Sequence, residues 1–265
     1  MPADVSSVTA GLSATFTSGG APRVQSTPPL ELRGPFRETD GLPLFLLRNV
    51  TAGVFAGDRY DVRLACGPGA RVRVSTPSAA KVYAMPHGHA ESHLTIEAGE
   101  RSVVSYAPAP TILQAGCDYR QTTAVTIATG AVALVREVVS FGRLASGERL
   151  AFRRFRSGVS ITRVGASSPA YIERYTLAPA DAGTQIDDAL RGSGVLGTLI
   201  AAGVDAAGLI GPLRTRFDKL GCCAGITALP HGDGLVLKVL AERADFSLGA
   251  LHAAESAILE IVAAG

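Results

Sequence analysis

Short runs of alternating apolar and polar residues, separated by turns that carry glycine or proline, dominate residues 40–178. Runs such as "YDVRLA", "RVRVST" and "AVALVREVV" are rich in the β-branched and aromatic residues that strands favour. "ATGA" at 128–131 lies between two such runs as a short turn. Because the strands follow one another closely, the sequence predicts an all-β-dominated fold rather than alternating strand–helix units.

A glycine recurs near the start of three of these strands, at Gly69, Gly99 and Gly130. A valine follows five positions after each glycine, namely Val74, Val104 and Val135. The glycines are 30 and 31 residues apart, a spacing typical of repeats that stack into coils. Glycine suits such turns because it adopts positive φ without steric cost. The repeat favours a β-solenoid with helix-like coiling of its sheets, and an ordinary β-sandwich is the alternative.

The pattern changes after residue 180, where alanine, leucine and glycine become frequent. Asp205 is a candidate N-cap for a helix over 206–217. "PHGDG" predicts the turn of a hairpin, and the last segment predicts an amphipathic helix capped by Ser247. The apolar face of that helix comprises Leu248, Leu251, Ala254, Ile258, Ile261 and Val262. No long linker interrupts the chain, so we expect one domain over 1–265, β-rich to residue 180 and mixed strand and helix from 181.

Composition narrows the classes of function. The chain has 25 Lys and Arg against 23 Asp and Glu, a net charge of +2 that is too weak to indicate nucleic-acid or membrane binding. No apolar run approaches the ~20 residues of a membrane span, and the N-terminus lacks the basic start and apolar block of a secretory signal. The four cysteines show no C-x-x-C spacing, which fits reduced thiols. We therefore expect a cytoplasmic protein.

Local signatures of catalysis are absent from the sequence. "GVFAGD" is the nearest approach to a phosphate loop, but it lacks the G-K-[ST] ending. H-E-x-x-H, G-x-S-x-G and paired-cysteine zinc motifs are also missing, although a triad assembled from distant residues stays open. We expect a protein that is not an enzyme. The alternative is a β-solenoid hydrolase or carbohydrate-binding module, for which 6% aromatic residues and no tryptophan supply few stacking rings.

"MPHGHAESH", residues 85–93, holds His87, His89 and His93 with Glu91 among them. On a strand these side chains would share one face, because side chains alternate. A strand rises ~3.3 Å per residue, so His87 and His93 would lie about 20 Å apart. One ion with ligand bonds of ~2.1 Å cannot collect them all. The segment therefore predicts weak metal binding by one neighbouring pair at most.

Four stretches, in order along the chain, resemble the urease accessory protein D family, which is called H in some organisms. They are "LRNVTAGVFAGDRY" (47–60), "STPSAAKVYA" (75–84), "YAPAPTILQAGCDYRQTTAVTI" (106–127) and "REVVSFGRLASGE" (136–148). They are similar to the family's G-G-x-x-x-G-D, T-T-Q-x-x-x-K-V-Y, L-P-x-P-x-I and E-x-x-x-x-G-R-x-x-x-G-E stretches. The chain departs from these where the family has a glycine, a glutamine, an arginine and an acidic residue. Those positions are Ala52, Pro77, Ala84 and Ser105.

The resemblance implies a β-rich coiled fold with a few C-terminal helices and a non-enzymatic chaperone of nickel insertion. Proteins of this kind bind apo-urease and the accessory F and G proteins, of which G is the GTPase that carries nickel. No intrinsic cofactor is expected, and nickel would pass transiently. Carboxylates suit that passage because oxygen ligands do not trap Ni²⁺ as thiolates would. The candidates for partner contact or the nickel path, at motif positions, are Asp58, Lys81, Glu137, Arg143 and Glu148.

Each candidate has a structural alternative. Asp58 could be a turn aspartate that accepts hydrogen bonds from its own backbone. Glu137 could point outward with its neighbouring arginine, or inward, where Arg143 would be its expected partner because a buried carboxylate needs one. For Lys81 and Glu148 a structural ion pair is the favoured interpretation.

Overall fold

A computed structural model describes residues 7–38 and 41–264. The fold is strand-dominated, with 46% strand and 20% helix, and its strands are arranged as stacked coils. The predicted β-solenoid-like class is therefore confirmed.

One of the two large sheets, sheet A, has seven strands. In spatial order these are β14 (Tyr171–Leu177), β13 (Arg154–Arg163), β11 (Asp118–Ile127), β8 (Ala90–Ala98), β5 (Arg59–Cys66), β1 (Thr9–Phe16) and β2 (Arg23–Ser26). The five inner strands run parallel, and β2 and β14 are antiparallel edge strands.

Sheet B lies opposite sheet A. Its strands, in spatial order, are β16 (Cys223–Ala228), β17 (Gly234–Ala241), β15 (Val195–Ala202), β12 (Val132–Ser140), β9 (Val103–Tyr106), β6 (Arg71–Ser75), β4 (Leu44–Asn49) and β3 (Leu30–Phe36). Two short strands, β7 (Ala80–Val82) and β10 (Thr111–Leu113), pair with each other, and β10 also pairs with β12. The strands from β4 to β12 run parallel, and the remainder of the main path is antiparallel. The β16–β17 pair is the hairpin predicted around "PHGDG".

Each central coil consists of a strand in sheet A, a four-residue turn and a strand in sheet B. The turns are residues 67–70, 99–102 and 128–131, and each is closed by a backbone hydrogen bond of 3.0–3.1 Å from its fourth residue to its first. Adjacent turns also bond to one another, as where the Arg101 N–H donates to the Thr129 carbonyl at 3.1 Å. The backbone ladder therefore continues through the turns, which fixes the two sheets in register.

The left-handed position of these turns is their third residue. Gly69 and Gly130 occupy it with φ of 66° and 68°, and Arg101 occupies it in the middle turn with φ of 54°. The predicted equivalence of Gly99 to the other two glycines is therefore wrong, because Gly99 is the first residue of its turn. An added Cβ at Gly99 would lie 2.6 Å from the Cys66 carbonyl oxygen, so close approach of the chains explains this glycine.

Strand β12 is buried on both faces. Ala133, Val135 and Val139 belong to the apolar core between the sheets. Val132, Leu134 and Val138 face the other way, into a second apolar core under the C-terminal helices. A polar side chain on β12 is therefore enclosed whichever way it points, and must be matched by partners.

Three helices occur among the described residues: α1 (Pro179–Ala189), α2 (Ala206–Leu220) and α3 (Ala244–Ala264). The Asp205 carboxylate accepts from the Ala207 N–H at 3.0 Å, which confirms the predicted cap of α2. The predicted cap at Ser247 is wrong, because α3 begins three residues earlier and buries Ser247. α1 was not predicted, since Ile186 is its one buried residue and gives no apolar stripe.

By length and composition alone, Ala244–Ala263 could cross a membrane, with a mean hydropathy of 1.3. The expectation that no segment reaches such a length therefore needs correction. Leu251, Ala254 and Ile258 of this helix are 0% exposed and belong to the core on sheet B. One face of the helix is therefore packed on sheet B, and 39% of the segment is buried.

Candidate functional site

A polar cavity of about 170 Å³ lies between the two sheets. At ~30 Å³ per molecule this is room for roughly five waters. Inward positions of the strands supply its polar wall, because alternate side chains of each strand face the other sheet. The polar side chains that line it include Asn49, Tyr60, Ser92, Tyr106, Tyr119, Gln121, Thr123, Glu137 and Thr198.

Glu137 is the carboxylate of this cavity. It lies on β12 between the inward Val135 and Val139, so it points inward, and the surface it exposes faces the cavity. Burial, and next the charge of Glu173, raise the pKa of Glu137 to about 7, although Lys238 and a hydrogen bond with Ser157 oppose the rise. The group therefore exchanges its proton near neutral pH.

An ion pair joins the two sheets beside Glu137. The Lys238 amine of β17 contacts the carboxylate of Glu173 on β14. The Tyr171 hydroxyl donates to the same carboxylate at 2.7 Å, and the Lys238 amine lies 5.8 Å from the centre of the Tyr175 ring. The charges of this pair are thus matched within the protein.

Two tyrosines complete the polar wall near Glu137. Burial raises the pKa of Tyr106 to about 12, and a charge on Glu137 adds to that rise. Burial likewise raises the pKa of Tyr119. Both side chains therefore remain neutral phenols at physiological pH and offer a hydroxyl as donor or acceptor.

Asp58 is buried in the turn before β5, with 3% of its surface exposed. One carboxylate oxygen accepts from the Val8 N–H at 2.9 Å. The other accepts from the Phe55 N–H and the Tyr60 hydroxyl, each at 2.9 Å. These bonds are those of the turn aspartate that was the structural alternative. Asp58 is linked to the cavity through Tyr60, which lines it. The functional role of Asp58 stays a prediction.

Arg143 and Glu148 form an ion pair with each other, with guanidinium–carboxylate distances of 2.6 and 3.1 Å. Glu148 also accepts from the Ala115 N–H at 3.0 Å, and its hydrogen bond with Arg143 lowers its pKa. The structural pair expected for Glu148 is present. The pairing of Arg143 with Glu137 is wrong, because β12 ends at Ser140 and the chain then turns away from the cavity.

Lys81 is exposed on the short strand β7, next to the buried Val82. Its carbonyl accepts from the Val54 N–H at 2.8 Å, which is a backbone role. Within the described part of the chain no carboxylate oxygen lies within 4.0 Å of its amine, so the structural ion pair expected for Lys81 is not found.

His93 lies on β8 and His89 directly precedes it, and both rings approach Glu91 from the same side, as their spacing predicts. The Nε2 atoms of the two rings lie 2.8 and 3.4 Å from different oxygens of Glu91. His87 is exposed in the loop that precedes the strand. No group of three His, Cys, Asp or Glu side chains among residues 7–38 and 41–264 is arranged to hold a metal ion. Weak binding by a pair of histidines stays a prediction.

Two arginines compete for the same glutamate. Arg59 and Arg120 approach the Glu91 carboxylate at 3.1 and 3.4 Å. The hydrogen bond from His89 lowers the pKa of Glu91. Its negative charge is therefore already shared among cations, which weakens it as a metal ligand.

A buried ionic cluster on the other face of sheet B was not predicted. Glu255 of α3 is 0% exposed, and one of its oxygens accepts from Arg73 at 2.9 Å and from the Ser105 hydroxyl at 2.5 Å. Its other oxygen lies 3.3 Å from the Arg136 guanidinium. Arg136 and Glu137 thus point to opposite faces of β12. The cluster fixes α3 to the sheet, and Ser105, a position of departure from the family motif, belongs to it.

The two coiled sheets, the cavity with polar groups between them and the helices on one outer face define a solenoid scaffold whose apolar core contains a partly polar cavity. A family model described as UreD urease accessory protein matches residues 12–262, and the chain belongs to that family. The resemblance carried by the four motifs is therefore confirmed.

Several relatives share this similarity. The chain is 36% identical over 222 residues to urease accessory protein UreD of Haloarcula marismortui, which covers 83% of this chain and 73% of that protein. It is 32% identical over 258 residues to urease accessory protein UreD 2 of Streptomyces griseus, with 91% and 84% covered. Urease accessory protein UreH of Helicobacter pylori is 29% identical over 153 residues, 58% of this chain and 57% of that protein. Membership of the family supports a role in urease maturation.

Proposed function

We propose that this protein is a non-enzymatic chaperone that helps to insert nickel into apo-urease in the cytoplasm, together with the accessory F and G proteins. The observation that carries the proposal is Glu137, a carboxylate that faces a partly open cavity with polar groups in its wall, between the two sheets. Family membership supports the link to urease, and the cavity supports a role for Glu137 in binding nickel during its transfer.

The chemistry of the cavity suits the transit of Ni²⁺ rather than its retention. Glu137 binds a cation by losing its proton and releases the cation by regaining it, and its pKa of about 7 makes both steps accessible at neutral pH. Besides Arg136, whose guanidinium is paired with Glu255, the other polar groups of the wall are neutral hydroxyls and amides. Burial raises the pKa of Cys66 and Cys117 to about 12, so neither offers the thiolate that would trap nickel.

A strain that lacks the protein tests the proposal. We expect its urease subunits to be synthesised without nickel and without activity when nickel is limiting, measured by metal analysis of the purified enzyme. Full urease activity in that strain would overturn the assignment. GTP should not bind the purified protein in calorimetry, since the chain lacks the G-K-[ST] loop.

Complementation with Glu137→Gln tests the cavity itself. Glutamine keeps the shape of the side chain but cannot bind a cation by proton exchange, so nickel loading should slow several-fold. Glu260→Gln, at an exposed position of α3, is the matched control and should complement fully. Normal loading with Glu137→Gln removes this carboxylate from the nickel path.

A further inference from the structure

The outer face of sheet A is open, in contrast to that of sheet B. Helices α2 and α3 pack on β12, β15, β16 and β17 of sheet B. The outward positions of β11, β13 and β14 are exposed or half-buried. Many of them are small, including Thr122, Ala124, Gly158, Ser160 and Thr162. This part of the molecule is therefore a flat surface that a second body can approach closely.

Four arginines occupy this surface, and we call them the arginine patch: Arg120, Arg154, Arg156 and Arg174. Arg120 and Arg156 are register partners on adjacent strands, so two like charges stand side by side. Arg174 is the register partner of Gly158, and its Cγ would lie 3.6 Å from a Cβ added there. The start of the Arg174 side chain thus lies against Gly158 on the same face of the sheet as Arg156.

The charge of the patch is only partly balanced within the described residues, because Arg120 lies 3.4 Å from the Glu91 carboxylate. Asp118 is shared between Arg153 and Arg154, at 3.5 and 3.9 Å. In the described part of the chain no carboxylate oxygen lies within 4.0 Å of Arg156 or Arg174. Like charges on paired strands destabilise a sheet, so the fold gains nothing from this arrangement.

We propose that the arginine patch docks an acidic surface of a protein partner, whose carboxylates pair with Arg156 and Arg174. Guanidinium groups bind carboxylates through two parallel hydrogen bonds, and the small residues between them allow the partner to approach. The neighbouring strands β5 and β8 present Asp61, Glu91 and Glu97 on the same face. These carboxylates are paired with Arg59, Arg63 and Arg120, so the face as a whole carries charges of both signs, which suits a protein surface of mixed charge better than a uniformly anionic nucleic acid or membrane. The proposal rests on the proposed function only for the choice of partners to test.

Charge reversal tests the patch. Purified full-length protein and the variant Arg156→Glu/Arg174→Glu are compared for binding to apo-urease, to the accessory F protein and to a hexaglutamate peptide by biolayer interferometry. Arg214→Glu/Arg216→Glu, at exposed positions of α2, is the control with the same charge change. We expect about tenfold weaker binding of the patch variant to at least one protein partner and to hexaglutamate, and little change for the control. The melting temperature of the patch variant should stay the same or rise.

Other outcomes overturn the proposal. They are wild-type binding by the patch variant to both proteins, or an equal loss in the control variant. A third is an arginine-dependent affinity for single-stranded RNA or phosphatidylserine vesicles without one for the proteins. If the wild-type protein binds neither partner, the hexaglutamate comparison decides about the patch. The proposed function is judged separately, by urease activity in the deletion strain.

Discussion

Replacing Glu137 by glutamine should change how the stability of the protein depends on pH. Burial holds the pKa of this carboxyl at about 7 in the folded protein, against an ordinary value of 4.5. The folded state therefore binds the proton more tightly than the unfolded chain does. The stabilisation from this carboxyl is complete below pH 4.5 and is lost as the pH rises through 7. Glutamine is uncharged at every pH and does not show this loss.

The magnitude follows from the two pKa values. The difference between 4.5 and about 7 corresponds to about 3 kcal/mol, most of which is lost before pH 7 is reached. At pH 5 the variant and the wild type should differ mainly by the packing of the amide. By pH 8 the variant should have gained roughly 2–3 kcal/mol relative to the wild type.

Guanidinium chloride unfolding, followed by circular dichroism at pH 5, 6, 7 and 8, measures this difference. Glu260→Gln is the control, and its difference from the wild type should not change with pH. The free energy of unfolding of Glu137→Gln relative to the wild type should change with pH. If it is constant from pH 5 to 8, Glu137 is not a buried carboxyl with a raised pKa. The same substitution should slow nickel loading, so a more stable but slower variant would separate function from folding.

Three further predictions concern other parts of the molecule. Glu255→Ala leaves Arg136 without its carboxylate and takes one of two from Arg73, whose other is Glu38, so it should lower the free energy of unfolding by about 3–5 kcal/mol, whereas Asp245→Ala in an exposed pair should change it little. Equal losses would contradict this. Replacing the three histidines of residues 87–93 by alanine should remove weak nickel binding in equilibrium dialysis at about pH 7.5, a pH at which imidazoles are neutral and can bind the metal. Urease activation should remain largely intact. Collapse of activation would make this loop a working site. Arg101→Gly should raise stability in a thermal melt by up to about 1 kcal/mol because the residue has positive φ, and a fall would mean that its side chain matters more than its backbone.

Neither the direction of Glu137 nor its surroundings could be read from the sequence. Val135 and Val139 flank it at even spacing, but Leu134 and Val138 make the other face of the strand equally apolar, so the pattern left both directions open. Arg143 was the expected partner for an inward Glu137, but the end of β12 lies between the two residues. The charges that act on Glu137 come from Glu173 and Lys238, on strands far away in sequence. Only the stacking of the sheets brings them together.

The position of Glu255 in the helical pattern indicates a buried carboxylate but not its partners. Glu255 lies four residues after Leu251 and three before Ile258, so it falls within the apolar face of the helix. A glutamate in that position needs a partner. Its partners Arg73 and Arg136 lie 182 and 119 residues away, so the helical pattern could not name them.

The carboxylates on the two sides of strand β12, Glu255 and Glu137, differ in how fully they are hydrogen-bonded. On the outer side of the strand Glu255 accepts hydrogen bonds from two guanidinium groups and a hydroxyl, and these bonds attach helix α3 to the sheet. On its inner side Glu137 has no guanidinium partner among the described residues, and its pKa is raised. Asp58 resembles Glu255 in this respect, since its oxygens accept from two backbone N–H groups and a tyrosine. A carboxylate whose lone pairs are already taken cannot hold a passing cation without breaking those bonds, so the expectation of a nickel contact falls on Glu137.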